Sequence, residues 1–79
     1  MPQLPVLSGK EMVRILQNLE FTITRINGSH FRLKHADGRI TTIPVHGNED
    51  LPKGLLRKIV REDLEMDFDE FVRIYNKIK

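Results

Sequence analysis

The sequence predicts an α+β domain in the order helix, three strands, helix, short helix, with the two main helices on one face of a three-stranded antiparallel meander. Three observations carry that prediction. An apolar stripe at helical spacing follows Ser8, an alternating β-branched run starts at Phe21 and is broken twice by glycine turns, and helical spacing returns after Asp50. Seventy-nine residues with 39% hydrophobic content fit one domain over residues 1–79 and leave no room for a second core. A chain of this length buries only roughly 60% of its unfolded surface, which favours a shallow site over a deep pocket.

The stretch Ser8-Gly9-Lys10-Glu11 is a capping box, with serine at the N-cap and glutamate three residues on, so the first helix starts there. Met12, Ile15, Leu16 and Leu19 then share one face for the core. Phe21 to Ile26 alternates and reads as a strand, ended by the turn signal Asn27-Gly28. A second strand runs from His30 to His35 and a third from Arg39 to Val45, after the loop Ala36-Asp37-Gly38. Three-residue loops at both turns pair Ile23 with Leu33, Arg25 with Phe31, and Phe31 with Ile43, whereas two-residue loops place Ile23 or Ile43 opposite Arg32. The longer loops are therefore expected. Phe31 and Leu33 then face the core, Arg25 turns inward with them in this register, and His30, Arg32 and Lys34 share the opposite face with Thr22, Thr24 and Thr42. Asp50 is the expected cap of a second helix with Pro52 in its first turn, and Leu51, Leu55, Leu56, Ile59, Val60 and Leu64 form its apolar side. The pair Asp67 and Glu70 opens a third helix that sends Phe68, Phe71, Val72 and Tyr75 toward the core.

Charge is distributed unevenly along the chain. Residues 1–60 hold nine Lys/Arg against five Asp/Glu, while residues 61–79 hold four against six. Between Thr22 and Val45 the cations Arg25, Arg32, Lys34 and Arg39 face Asp37 alone, a small basic field of the kind that attracts a polyanion. The competing reading is an ordinary solvated sheet face. No cysteine is present, which removes disulfides, thiolate chemistry and Cys-based zinc sites and agrees with a reducing compartment. The opening MPQLPVLSGKEM lacks the apolar core of a leader, and no stretch reaches the roughly 20 apolar residues a membrane span needs, so a cytoplasmic location is expected.

Histidines 30, 35 and 46 are the side chains whose ordinary pKa lies near neutrality. His30 and His35 are five apart on a strand and point to opposite faces, so they cannot share a metal ion, and no metal or cofactor is expected. Gly47 and Gly54 lack the flanking pattern of a phosphate loop, and Ser29 beside His30 makes a poor nucleophile–base pair because strand neighbours diverge. What remains is an imidazole among cations on a polar face. That arrangement suits RNA cleavage, in which imidazole takes the proton of a ribose 2′-hydroxyl or gives one to the leaving oxygen while cations stabilise the phosphate. A surface histidine without a chemical role fits the same residues.

The chain also resembles the HicA family of toxins, RNA-cleaving members of HicAB toxin–antitoxin systems. The matching residues are Leu7-Ser8-Gly9-Lys10-Glu11 with Leu16, Phe21 and Arg25, Gly28-Ser29-His30, Lys34-His35, Pro44 with His46, Lys53-Gly54 with Leu56 and Ile59, and Asp69-Glu70-Phe71. The resemblance implies a fold similar to the double-stranded RNA-binding domain and ribosome-independent endonuclease action on messenger RNA. It further implies a catalytic histidine at the G-S-H position, which is His30, and a HicB-like antitoxin that covers the active face. Arg25, Ser29, Arg32 and Lys34 are the candidate RNA contacts around His30, and Lys53 and Arg57 offer a second group near the start of the second helix. The sequence departs from the family pattern at Phe31, where a second histidine is often seen, at Glu20, where glycine is usual, and at Leu55, where threonine is common. The alternative is a catalytically inactive RNA-binding or antitoxin-binding module with the same fold.

Overall fold

A computed structural model describes residues 4–78; residues 1–3, part of the stretch read above for a leader, and residue 79 lie outside the described residues. Helix α1 (Gly9–Asn18) begins at the capping box, with the Ser8 N–H donating to the Glu11 carboxylate at 3.1 Å and the Glu11 N–H donating to Ser8 Oγ at 3.2 Å. These bonds satisfy donors that the first turn leaves free. Met12, Val13, Ile15 and Leu16 are buried, so the predicted stripe is the core face. The helix ends with Glu20 N–H donating to the Gln17 carbonyl at 3.1 Å and Phe21 N–H donating to the Leu16 carbonyl at 2.9 Å. This is the Schellman pattern, and Glu20 occupies its left-handed position with φ of 71°. A glutamate carries a steric cost there that glycine lacks, so Glu20→Gly is expected to stabilise the protein by about 1 kcal/mol. A higher urea midpoint with unchanged slope would register that gain, and a lower midpoint would contradict it.

Strands β1 (Thr22–Asn27), β2 (His30–Lys34) and β3 (Ile40–Pro44) form an antiparallel sheet in the order β1-β2-β3. At the second turn the expected register holds. Phe31 faces Ile43, the His35 N–H donates to the Arg39 carbonyl at 2.9 Å, and Gly38 takes φ of 101°. The first turn departs from expectation, since Asn27 pairs with His30 and only Gly28 and Ser29 lie between. Gly28 has φ of 62°, the glycine-first signature of a type II′ hairpin turn, and such a turn matches the strand twist better than a longer loop. By itself this turn would put Ile23 out of register with the core. A β-bulge between Ile23 and Arg25 absorbs the extra residue and restores the pairing of Ile23 with Leu33. Thr24 Oγ1 donates to the Arg32 carbonyl at 3.3 Å across the bulge. The expected pairing of Arg25 with Phe31 is therefore wrong: Arg25 lies opposite Arg32, is exposed, and does not turn inward, while Ile26 lies opposite Phe31.

The inner face presents Leu33 and Ile43, both fully buried, to α1 and the helices that follow. Asp50 does not cap the second helix as expected. Its backbone bridges to Ser8, and the Leu51 N–H donates to the Leu7 carbonyl at 2.7 Å, which holds this segment extended. Pro52 becomes the N-cap, without a side-chain hydrogen bond, and α2 (Lys53–Lys58) runs directly into a π-helical segment, Ile59–Asp63. The Leu64 N–H reaches back five residues to the Ile59 carbonyl at 2.9 Å. The widened turn leaves Ile59, Val60 and Leu64 all buried. Helix α3 (Phe68–Ile78) is eleven residues long, so it is not the short appendage expected, and Phe71 is fully buried in the core.

Two polar bonds tie the sheet to the helical layer. Thr41 is buried on the inner face and its Oγ1 donates to Asp63 Oδ2 at 2.8 Å, and the Arg39 guanidinium donates to the Leu64 carbonyl at 2.7 Å.

Candidate active site

The sheet face turned away from the helices carries three cross-strand rows: Asn27, His30 and Pro44; Arg25, Arg32 and Thr42; Thr22, Lys34 and Ile40. All of these residues are exposed except the half-buried Pro44. The two-residue first turn thus adds a cation to the face that the sequence-based register left with two, while the bulge keeps Ile23 on the core side. Arg25 and Arg32 occupy directly opposed positions, where like charges repel, and an anion placed between them would relieve that repulsion. Lys34 extends the same positive field along β2.

His30 opens β2 at the hairpin end of this face, and its ring makes no hydrogen bond to the described residues. Its partner Pro44 occupies a non-hydrogen-bonded position of the ladder, since the bond that follows runs from the Val45 N–H to the Ser29 carbonyl at 2.6 Å. A proline fits such a position because no N–H is required of it. Ser29 is half-buried in the turn, and its carbonyl fixes the end of β3 against the start of β2. Lys53 and Arg57 are exposed on α2, in the helical layer, and do not join the cations of the sheet face.

Two further cations escaped the sequence reading. Lys10 and Arg14, one turn apart on the exposed side of α1, line with Gln17 the rim of a shallow hollow floored by Val13, Phe31 and Val45. Their spacing of four was the available signal. Phe31 is half-buried on the face opposite His30, so a side chain at that position does not share the surface that carries His30.

His35 serves the fold. Its ring stands edge-on to Phe21 with centroids 5.1 Å apart, and its Nδ1 accepts the Asp37 N–H at 3.0 Å. The Arg39 guanidinium lies 5.3 Å above the Phe21 ring and donates to Asp37 Oδ2 at 2.7 Å. The Arg39 N–H, first, and then the Arg39 guanidinium hold the Asp37 carboxyl below the usual carboxylate range against the opposing effect of its partial desolvation. Among the described residues no group of three or more His, Cys, Asp or Glu side chains gathers in a way that would hold a metal ion. No helix among them is long and apolar enough to cross a membrane.

No curated protein matches the sequence. A family model does, that of the HicA toxin of bacterial toxin–antitoxin systems, and it matches residues 9–65. The matched span runs from the first residue of α1 past the π-helical segment and contains every residue of the basic sheet face; α3 lies beyond it. A helix, a three-stranded antiparallel sheet and following helices are the architecture that the resemblance implied, similar to the double-stranded RNA-binding domain. With the greater part of its length matched, the chain belongs to the HicA toxin family, and that membership implies an antitoxin partner.

Proposed function

We propose that this toxin is a ribosome-independent endoribonuclease acting on messenger RNA in the cytoplasm, with His30 transferring a proton at the ribose and phosphate. The observation that carries the reading is one face: among the described residues, an imidazole without a hydrogen-bond partner stands one row from the opposed positions of Arg25 and Arg32, on a surface that no described helix covers. Imidazole is competent for both proton transfers of RNA cleavage, and guanidinium groups are suited to a phosphate whose charge grows in the transition state. Arg25, Arg32 and Lys34 would hold the phosphates nearest the cut, with the Ser29 turn at their end of the sheet; Lys53 and Arg57 would meet backbone that extends past it. A HicB-like antitoxin would silence the toxin by covering this face.

An inactive binding module is weighed against this through Phe31, where the family often has histidine. Phe31 is on the opposite face from His30, so that departure leaves the proposed catalytic surface unaltered. The test is incubation of the purified chain with RNA in the presence of a chelator. Cleavage leaving 2′,3′-cyclic phosphate ends is expected; binding without cleavage would select the inactive module.

Salt provides a second measurement. For single-stranded RNA, the three phosphate contacts of the sheet face give a slope of log affinity against log salt of about −2, engagement of Lys53 and Arg57 as well takes it to about −3.5, and Arg32→Ala is expected to reduce it by about 0.7 whatever the RNA sequence. A slope near zero would remove the electrostatic basis of the reading.

A further inference from the structure

Cleavage of RNA by proton transfer needs two groups, one to take the proton of the attacking 2′-hydroxyl and one to return a proton to the departing 5′-oxygen. His30 supplies only one of them. The strand pairing brings a second imidazole to the same end of the sheet. His30 faces Pro44 in a non-hydrogen-bonded pair, where opposed Cα atoms approach to about 4.5 Å and both side chains rise on one face. The bond from the Val45 N–H to the Ser29 carbonyl at 2.6 Å carries the ladder one residue further. β3 ends at Pro44, so His46 stands two residues past the last paired position, where the chain leaves the sheet at the end at which His30 opens β2.

His46 is exposed and its ring makes no hydrogen bond to the described residues, while its backbone is fixed by a turn in which the Glu49 N–H donates to the His46 carbonyl at 3.0 Å. Gly47 takes φ of 56° within that turn. Several rival groups are committed elsewhere, while the exposed carboxylates of Glu49 and Asp50 share the loop with His46. His35 lies past the far end of β2 with Nδ1 engaged, Asp37 is held by Arg39, and Glu11 is bound in the capping box.

We infer that His46 is the second proton-transfer residue, acting with His30 on one phosphodiester; this rests on the ribonuclease reading above. The 2′-oxygen bonds to phosphorus as the bond from phosphorus to the 5′-oxygen breaks. The 2′-hydroxyl proton passes to whichever imidazole is neutral, and the other, protonated, gives its proton to the departing 5′-oxygen. The products are a 2′,3′-cyclic phosphate and a 5′-hydroxyl, and no further reactant is consumed.

The test uses the full chain, with the cut first mapped in an RNA oligonucleotide, and then the same oligonucleotide with sulfur replacing the bridging 5′-oxygen at that cut. A thiolate leaves without receiving a proton. On the oxygen substrate His30→Ala and His46→Ala are each expected to be slower by roughly 10²- to 10⁴-fold. On the sulfur substrate one of the two, and only one, recovers to within about tenfold of the parent, because only the group serving the leaving oxygen becomes dispensable. His46→Gln, which keeps a polar side chain of similar size, guards against a folding defect and is expected to behave as His46→Ala does. An active parent with a fully active His46 variant sinks this inference alone, as does sulfur rescue of neither histidine variant or of both. A parent that does not cut RNA sinks the ribonuclease reading, and this inference with it.

Discussion

His30→Ala is expected to cut RNA roughly 10²- to 10⁴-fold more slowly than the parent chain, the range that a positioned proton-transfer group contributes. Its stability, read from the melt, is expected to stay within the scatter of a surface substitution, about 0.5 kcal/mol, because the ring is exposed and makes no hydrogen bond to the described residues. The two measurements together discriminate. Loss of rate with an intact melt and intact RNA affinity marks a chemical role; loss of rate with loss of affinity would make His30 a binding residue. A variant as fast as the parent would remove His30 from the mechanism.

Gly9→Ala acts through packing. A Cβ on Gly9 would collide with the Pro44 carbonyl oxygen and stand 3.0 Å from Val45 Cα, both main-chain atoms. Neither neighbour is free to move, since Pro44 is paired with His30 and the Val45 N–H is bonded to the Ser29 carbonyl. Overpacking against rigid structure costs about 3 kcal/mol, which for a domain of this size lowers the melting temperature by roughly 10–20 °C. Any relief must come from moving α1 away from the end of β3, which also disturbs the strand that positions His30. The expected result is therefore a double loss, of stability and of cleavage. Gly54→Ala is the control: nothing lies within 4 Å of the added carbon and the residue is helical, so a gain of about 0.5–1 kcal/mol is expected. A Gly9→Ala chain that melts with the parent would show that α1 does not rest on β3 as described.

Legibility in the sequence followed the range of the interaction. The start of α1 was readable because Ser8 and Glu11 bond each other three residues apart, and the second hairpin because Gly38 and the pairing of Phe31 with Ile43 agree on one loop length. The first hairpin was misjudged because turn and pattern conflict there. The favoured two-residue turn puts Ile23 out of register, and the chain resolves that conflict with a bulge at Thr24, which has no composition signal of its own. The two-residue turn placed Arg25 on the basic face and the bulge kept Ile23 in the core, so these two local features separated the readable from the unreadable part of the site. Asp50 had the chemistry of a cap, yet its backbone pairs with Ser8, 42 residues away in sequence (50 − 8), and no local rule sees such a bridge. The bonds from Thr41 to Asp63 and from Arg39 to Leu64 are invisible for the same reason.

The bulge and Pro44 have a further consequence, for how this sheet meets other chains. A three-stranded sheet has two outer strands, each a potential template for strand addition and aggregation. β1 is interrupted between Ile23 and Arg25, which adds local twist and breaks the even row of donors and acceptors that an incoming strand would need. On β3, Pro44 occupies a position whose N–H would point away from β2, so the outermost donor at that end does not exist. Both flanks are blunted close to His30. Copies of this toxin are thereby discouraged from joining edge to edge, and the sheet is left to meet its partners through its face.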